Sequence, residues 1–400
     1  MLFGAVENTV STIKRAILSW VSRAWLVGLI GLSVTFLAGE LCAQSSQSTA
    51  PSAAQSAGPR DLSQVSLEDL MNIEVTSVSK KEQKLSQAAA AIFVITQEDI
   101  RRSGATNIPD LLRMVPGLDV SQINANTWAV SARGFNRQFT DKLLVLIDGR
   151  AVYTPLLGGV NWDTQDVPLE DIDRIEVIRG PGATIWGANA VNGVINVVTM
   201  MAADTPGARV TAAGGTEGQV QGLVQYGGTI RGNTSYRIFS DYLNHNSLPA
   251  QSGGSGDDEW RLLHGGFRVD TTVSAWDSLT IQGDLYTGAE GATIVHVFSI
   301  DPPVTGNLEV SNRLAGGNIL GRWNHIFSSG SDTTFQFYFD NYERTGPESR
   351  ETRNTIDFDF SHHWAWQLRA MASNAAWLMA MRIIGQRQFS LSGRFASQCS

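Results

Sequence analysis

From about residue 207 onward the chain alternates with a period of two. In "NTIDFDFSHHWAW" Ile356, Phe358, Phe360, His362, Trp364 and Trp366 fall on one face, and Thr355, Asp357, Asp359, Ser361 and His363 on the other. In "DTTFQFYFDN" Phe335, Phe337 and Phe339 oppose Thr334, Gln336, Tyr338 and Asp340. In "SLTIQGDLYTG" Leu279, Ile281, Gly283 and Leu285 oppose Thr280, Gln282, Asp284 and Tyr286. Successive strand side chains point to opposite faces, so each segment predicts a strand with one apolar face. Segments of about ten residues, with aromatic side chains near their ends and Gly, Asn or Ser turns between them, match a membrane β-barrel with lipid outside and water inside. A soluble sandwich shows the same alternation and stays open on pattern alone.

Residues 88 to 200 have a different texture, that of a compact α/β unit. "AIFVIT" predicts a strand. Thr96 and Asp99 form a capping-box start for the helix "QEDIRRSG", which Gly104 stops. A second short helix, "NIPDLLRMVPG", has Asn107 as its cap, turns Leu111, Leu112 and Val115 inward, and ends at Pro116-Gly117. "KLLVLIDGRAVYTP" predicts a hairpin in which Asp148-Gly149 supplies two positive φ angles. "VPLEDIDRIEVIRG" predicts a helical turn entering a strand, and "NGVINVVT" another strand. Ahead of this unit, Ser66 can cap a short amphipathic segment with Leu67, Leu70 and Met71 on one face. It is followed by "IEVTSVS", Ile73 to Ser79, a lone strand with no hairpin partner and an edge suited to strand addition by another chain.

Composition narrows the class. The chain has 400 residues, a formal net charge of −8 and no basic run longer than a pair, so nucleic acid is not an expected partner. Lys14, Arg15 and Arg23 precede the apolar run "AWLVGLIGLSVTFLAG" and then "ELCAQSS". The run is shorter than the roughly 20 residues of a membrane span, so residues 1-43 are expected to be a signal peptide cut after Ala43. A lipoprotein cut at Cys42 and a retained anchor are the alternatives. Residues 44-60, rich in Ser, Ala, Gln and Pro, predict a flexible linker. Cys42 and Cys399 are the only cysteines, and His362 and His363 have no HExxH or i, i+4 companion, so no disulfide framework, metal site or cofactor is expected.

"DRIEVIRGPGATIWGANAVNGVINVVT", Asp173 to Thr199, has glycine spacing that imitates a phosphate cradle. A P-loop needs Lys and Ser or Thr directly after its second glycine, but Gly187 is followed by Ala188 and Asn189. A dinucleotide fingerprint opens a helix after the first strand of its unit, whereas this stretch lies late and runs into a strand. The glycines therefore predict tight turns and close backbone approach. Asp163, Asp166, Glu170 and Asp171 show no catalytic spacing, and no enzyme is expected.

"VPGLDVSQ", "WAVSARGFNRQFTDKLLVLIDGRAVYTP" and "VPLEDIDRIEVIRGPGATIWGANAVNGVINVVT" closely resemble the plug domain of TonB-dependent outer-membrane receptors, and "MNIEVTSVSKKEQ" resembles the TonB-box region ahead of it. The resemblance covers about residues 61 to 200. It implies an α+β plug domain over 85-200, a TonB-box region over 61-84, and antiparallel transmembrane strands over 205-367 from the first part of a 22-stranded barrel. It further implies uptake of a scarce small-molecule ligand, most commonly a ferric siderophore, with cobalamin, haem or glycans behind. The implied partners are outer-membrane lipid and an energy-transducing protein of TonB type in the inner membrane, which pulls on the box by strand addition. By similarity the box falls on Ile73, Glu74, Val75, Thr76, Ser77 and Val78. Arg133, Glu176 and Arg179 resemble the charges that hold plug to barrel wall. Phe135, Arg137, Phe139 and Trp162, in outward loops, are candidate substrate contacts. A binding protein that does not transport is the alternative function.

The pattern departs from that family at its end. A closed barrel of that size needs well over 400 residues after the plug, about twice the length of chain that remains, which suffices for about eight strands. After "HHWAWQ" the alternation stops, and residues 368-400 predict a truncated or frame-shifted product, which resequencing around Leu368 would test.

Overall fold

A computed structural model of the chain describes residues 74–75, 83–84 and 90–363, except for residues 135, 141, 181, 183–185, 188, 251–252, 302, 328–330 and 348, and the backbone of 383–392. The expected leader, linker and Ser66-capped segment lie outside these residues. All of the described residues fall in one unit, Val65–Ser400.

The chain begins with two short strands, β1 (Glu74–Val75) and β2 (Gln83–Lys84), paired antiparallel with Glu74 opposite Lys84. Strand β3 (Ile92–Thr96) then runs directly into helix α1 (Gln97–Ser103). The capping box is formed: the Thr96 hydroxyl accepts from Asp99 N, the Asp99 carboxylate accepts from Thr96 N at 2.9 Å, and Gly104 closes the helix at φ 70°. Helix α2 (Ile108–Leu112) is capped by Asn107, whose side chain accepts from Asp110 N at 2.9 Å. Next come the hairpin β4 (Leu118–Gln122) and β5 (Trp128–Ala132), strand β6 (Leu143–Ile147), and the short strands β7 (Arg150–Ala151), β8 (Tyr153–Thr154) and β9 (Gly159–Val160). The turn between β6 and β7 is the expected one, with Asp148 at φ 50° and Gly149 at φ 82°. A 3-10 turn, Leu169–Asp171, enters β10 (Ile172–Ile178), and β11 (Gly193–Thr199) closes the unit.

The central sheet has the order β3-β10-β11-β6-β7; β10 is antiparallel to β3 and β11, and β11 is parallel to β6. Its core is formed by Ile95, Ile175, Val177, Ile195 and Val145 against Leu111, Leu112 and Val115 of the second helix and its exit. The glycine stretch does what close packing requires: at Gly193 a Cβ would meet Ile178 O at 2.6 Å, and Gly187 sits at φ 91°.

The remaining strands form one antiparallel wall: β12 (Gly207–Gly214), β13 (Val220–Ile230), β14 (Thr234–His245), β15 (Trp260–Thr272), β16 (Asp277–Ile300), β17 (Pro303–Ile326), β18 (Asp332–Thr345), β19 (Arg350–His363) and β20 (Ile383–Ser392). Strands β12 to β19 are the eight expected, and β20 lies within the tail read as lacking alternation, where it pairs with β19. Among the described residues the wall is open, since β12 and β20 do not pair with one another. The alternation sorts as read: Ile281, Leu285, Phe335, Phe358 and Phe360 are exposed on the outer face, while Tyr338, Asp340, Asp357 and Ser361 are buried on the inner face. Strands β16 and β17 outrun their neighbours. Pairing with β15 ends at Glu290 and pairing with β18 ends at Arg313, so the hairpin continues beyond the sheet.

Candidate functional site

The inner face of the wall is covered by the α/β unit, and many of its polar groups find their partners there. Trp260, Leu262 and Leu243 of the wall join the apolar core of the α/β unit, and Trp128 meets Trp260 edge to face at 5.6 Å. Around this contact lies a ring of charges taken out of water, where an ion is tolerated only when paired.

The hairpin turn at Asp148 is the first anchor. Its carboxylate accepts from Thr199 N at 2.9 Å, Thr199 Oγ1 at 2.8 Å and Gln282 Nε2 of β16 at 2.7 Å, and its carbonyl accepts from Arg322 of β17. Burial would raise the Asp148 carboxyl, but the Arg268 charge, the Thr199 N–H and the Gln282 amide outweigh it and hold it below its ordinary value of 3.8. Arg268 of β15 donates to Thr199 Oγ1 at 2.8 Å and pairs with Asp270 at 2.8 Å, and Asp270 accepts from Ala202 N at 2.7 Å.

The second anchor is Arg150 on β7, which pairs with Asp340 of β18 at 2.6 Å with both side chains buried. Arg353 of β19 shares that carboxylate at 3.4 Å and donates to Tyr153 O at 3.2 Å. The third is Asp163, in the 3-10 turn Trp162–Thr164, which pairs with Arg344 of β18 at 2.6 Å; Arg344 also pairs with Glu290 of β16 at 2.6 Å. Nearby, Asn126 donates to Asp258 O at 3.1 Å and Gly291 O at 2.9 Å, and Asn161 donates to the Tyr342 hydroxyl at 3.1 Å. On the β14 side Asp171 pairs with Arg237 at 3.2 Å.

Two cavities open in this seam. One of about 50 Å³ is lined by Asp148, Arg150, His264, Arg268, Asp284 and Asn318 among others, and one of about 20 Å³ by Phe139, Trp162, Asp163, Glu290 and Arg344 among others. A cavity needs only about 10–15 Å³ of such space to hold a water, so these spaces suit a few waters rather than a cargo-sized solute.

The residues expected at the site are placed as follows, where they are described. Glu176 is fully buried and pairs with Arg174 at 2.8 Å, two positions along on the same face of β10. Arg179 is exposed and donates to Pro116 O at 3.2 Å, and Arg133 is exposed at φ 65°. The ion pairs described across the seam are those of Arg150, Asp163 and Asp171, in the β6–β7 hairpin and the 161–171 segment. Trp162, read as a ligand contact, is buried in the apolar core, because its loop folds inward as a 3-10 turn. Arg137 is exposed, Phe139 is half-buried against Gly159, and Phe135 lies outside the described residues. The strand at Glu74–Val75 is not lone, since β2 covers it, and Ile73 and Thr76 to Val78 lie outside the described residues. No signal in the sequence pairs Arg150 with Asp340, which are 190 positions apart.

A globular α/β unit held by buried charges against the inner face of an open antiparallel wall, apolar on its outer face, has the layout of a plug seated in part of a barrel. Residues 84–194 match the family model described as TonB-dependent Receptor Plug Domain. The chain is 33% identical over 147 residues to the vitamin B12 transporter BtuB of Vibrio vulnificus (strain CMCP6), a match that covers 36% of this chain and 23% of that protein. Its fold is similar to the ferripyoverdine receptor of the outer membrane of Pseudomonas aeruginosa, with a TM-score of 0.57 and 15% identity over 74% of this chain and 42% of that one. The alcaligin outer-membrane receptor FauA of Bordetella pertussis gives a TM-score of 0.54 and 17% identity over 74% of this chain and 47% of that one. The chain carries a TonB-dependent receptor plug domain, followed by antiparallel strands with the fold of those receptors' barrels. The match spans about a quarter of the length of the curated relative.

Proposed function

We propose that the chain serves energy-coupled uptake of a scarce solute across the outer membrane of a Gram-negative bacterium, with the plug as the gate. The observation that carries this is the seam: beyond the apolar patch at Leu243, Trp260 and Leu262, the plug is fastened to the wall by buried ion pairs. Breaking such a pair while its partners remain buried is costly, but exchanging partners or water for it costs little. Glu74–Val75 has a ladder only two residues long on β2, so an inner-membrane protein of TonB type could replace it by strand addition. Residues Ile73 to Val78 are the proposed box.

The cargo we propose is a ferric siderophore, supported by the fold likeness to the ferripyoverdine and alcaligin receptors. Likeness of the plug to a vitamin B12 transporter favours a corrinoid as the second reading. Exposed Arg137 and half-buried Phe139 are the proposed ligand contacts on the plug. Uptake of iron-loaded siderophores and of cyanocobalamin is measured in cells that lack their own receptors and express this chain or Val75→Pro, since proline removes the N–H that strand addition needs. Uptake that requires the proton-motive force and vanishes in Val75→Pro, with surface binding retained, supports transport. Binding with no energy-dependent uptake in either form assigns the chain to recognition without transport.

A further inference from the structure

The two ends of the wall differ. At one end short turns join β13 to β14, β15 to β16 and β17 to β18, and at the other the hairpin of β16 and β17 outruns the sheet. Short turns mark the periplasmic end of an outer-membrane barrel and long connections its outward end. Between the ends, the outer face of β15, β16 and β17 exposes Leu263, Phe267, Ile281, Leu285 and Ile319. No charged side chain interrupts that face from Leu263 to Thr271 on β15, from Leu279 to Thr287 on β16 or from Ala315 to Trp323 on β17.

Charge returns at the outward border of this face, in one row. Arg261 on β15 stands opposite Ala289 on β16, and Ala289 opposite Arg313 on β17; across the next two strands follow Thr345 and Arg350. All three arginines are exposed. Neighbouring strands lie about 4.8 Å apart, so Arg261 and Arg313 flank Ala289 at about 10 Å from one another, with only a methyl group between them. Arg350 pairs with Glu343 at 2.7 Å, and the nearby Glu259 accepts from the Ser247 hydroxyl at 3.0 Å. Neither Arg261 nor Arg313 has an ion-pair partner among the described residues. From Arg313 to Trp323 the strand runs about 33 Å, which at a tilt of about 40° spans about 25 Å of depth, the height of the apolar band of such barrels. The row therefore sits at the upper edge of that band, where the pairing of β17 with β18 also ends.

We propose that Arg261 and Arg313 seat the headgroup of a lipid that carries a phosphate monoester, with the two guanidinium groups closing on the phosphate over Ala289. A guanidinium matches phosphate oxygens with two parallel N–H donors, and a monoester, with nearly two negative charges at neutral pH, balances two cations where a diester balances one. The methyl group of Ala289 leaves the phosphate room between them. The uncharged face that continues directly from the row gives the acyl chains of the same molecule their place, which a free phosphate would not use. The site goes beyond the uptake reading: it rests on the wall facing lipid, and holds whatever the cargo is.

The test uses the full chain folded in neutral maltoside micelles doped with phosphatidic acid, phosphatidylglycerol or phosphatidylcholine, and native mass spectrometry to count the lipid retained. Phosphatidic acid, the monoester, should be held most strongly. Arg261→Gln and Arg313→Gln should each weaken its retention about tenfold, the size of one charged hydrogen bond. Ala289→Leu, which fills the gap and changes no charge, should weaken it as well. Arg231→Asn, in the turn between β13 and β14 at the other end, should leave it unchanged. Retention unaltered in both arginine-to-glutamine variants, or lost as fully in Arg231→Asn, would overturn the site. Displacement of phosphatidic acid by an equal concentration of inorganic phosphate would overturn the lipid as its occupant. A chain that stays in solution without detergent would overturn the lipid-facing reading of the wall along with the site, whereas a chain held in micelles that retains no phosphatidic acid overturns the site alone.

Discussion

Asp340 carries two guanidinium groups, and that sharing makes an asymmetric prediction. Arg150 Nη1 lies 2.6 Å from Asp340 Oδ2 and Arg353 Nη2 3.4 Å from Oδ1, with all three side chains at about a tenth of their full exposure. Asp340→Asn keeps the shape and one acceptor but leaves two buried cations without their anion, which is expected to cost about 3–5 kcal/mol. Arg150→Met removes one cation and leaves the carboxylate still paired with Arg353, so its expected cost is about 2 kcal/mol, the scale of one charged hydrogen bond. The double variant should fall short of the sum by at least about 1 kcal/mol, as residues sharing one network do. Urea unfolding of the detergent-folded chain measures this through tryptophan fluorescence, because Trp128 and Trp162 sit in the plug core. Arg150→Met costing as much as Asp340→Asn, or a cycle additive to within about 0.5 kcal/mol, would refute the shared-anion account of the seam.

Two further outcomes rest on single positions. Gly193→Ala places a Cβ 2.6 Å from the Ile178 carbonyl, a backbone atom that cannot swing aside, so a loss of about 1–3 kcal/mol is expected by urea titration. Asp148 is held below its ordinary 3.8, so its contribution is present above that pH and lost as pH falls through the folded value; acid-unfolding curves should show Asp148→Asn less stable at neutral pH and less sensitive to pH in that acid window.

What the sequence carries well is whatever is written locally. An apolar outer face and a polar inner face impose period two on the wall strands, which is why the faces of β16, β18 and β19 can be assigned residue by residue. The Thr96-Asp99 capping box and the Asp148-Gly149 turn are legible because cap and turn chemistry spans four residues or fewer. Charge pairing across the seam is not local. Asp163 and Arg344 lie 181 positions apart, and nothing around either one distinguishes a latch from a solvated surface group. Glu176 is a buried charge, as its resemblance to a latch implies, and Arg174 two residues away on one face pairs with it. Trp162 shows the converse error: an aromatic residue in a Gly-rich loop looks available for a ligand until the loop's 3-10 turn folds it into the core. The partner of β1 stays hidden because a two-residue ladder is too short to leave a period.

The order of the plug sheet also says how a pull would spread. The proposed box precedes β3, and β3 is the edge strand of the sheet β3-β10-β11-β6-β7, whereas Arg150 is on β7 at the opposite edge. Past the two-residue β1–β2 ladder, a force applied at the N-terminus therefore reaches the β3–β10 ladder first within the sheet, with the seam anchors at Arg150 and Asp163 still closed. That ladder joins five residue pairs, from Arg174 opposite Thr96 to Ile178 opposite Ile92. Pulled from one end it opens pair by pair, each step breaking about one hydrogen bond of roughly 1 kcal/mol net, while the seam pairs would have to break whole. Ile95→Cys with Ile175→Cys joins directly opposed residues of an antiparallel pair, within the reach of a disulfide. In single-molecule pulling from the N-terminus, the oxidised double cysteine should raise the force of the first event, and Arg150→Met should leave it unchanged. A first event weakened by Arg150→Met would mean that the seam yields before the sheet edge, and that the plug moves as one body.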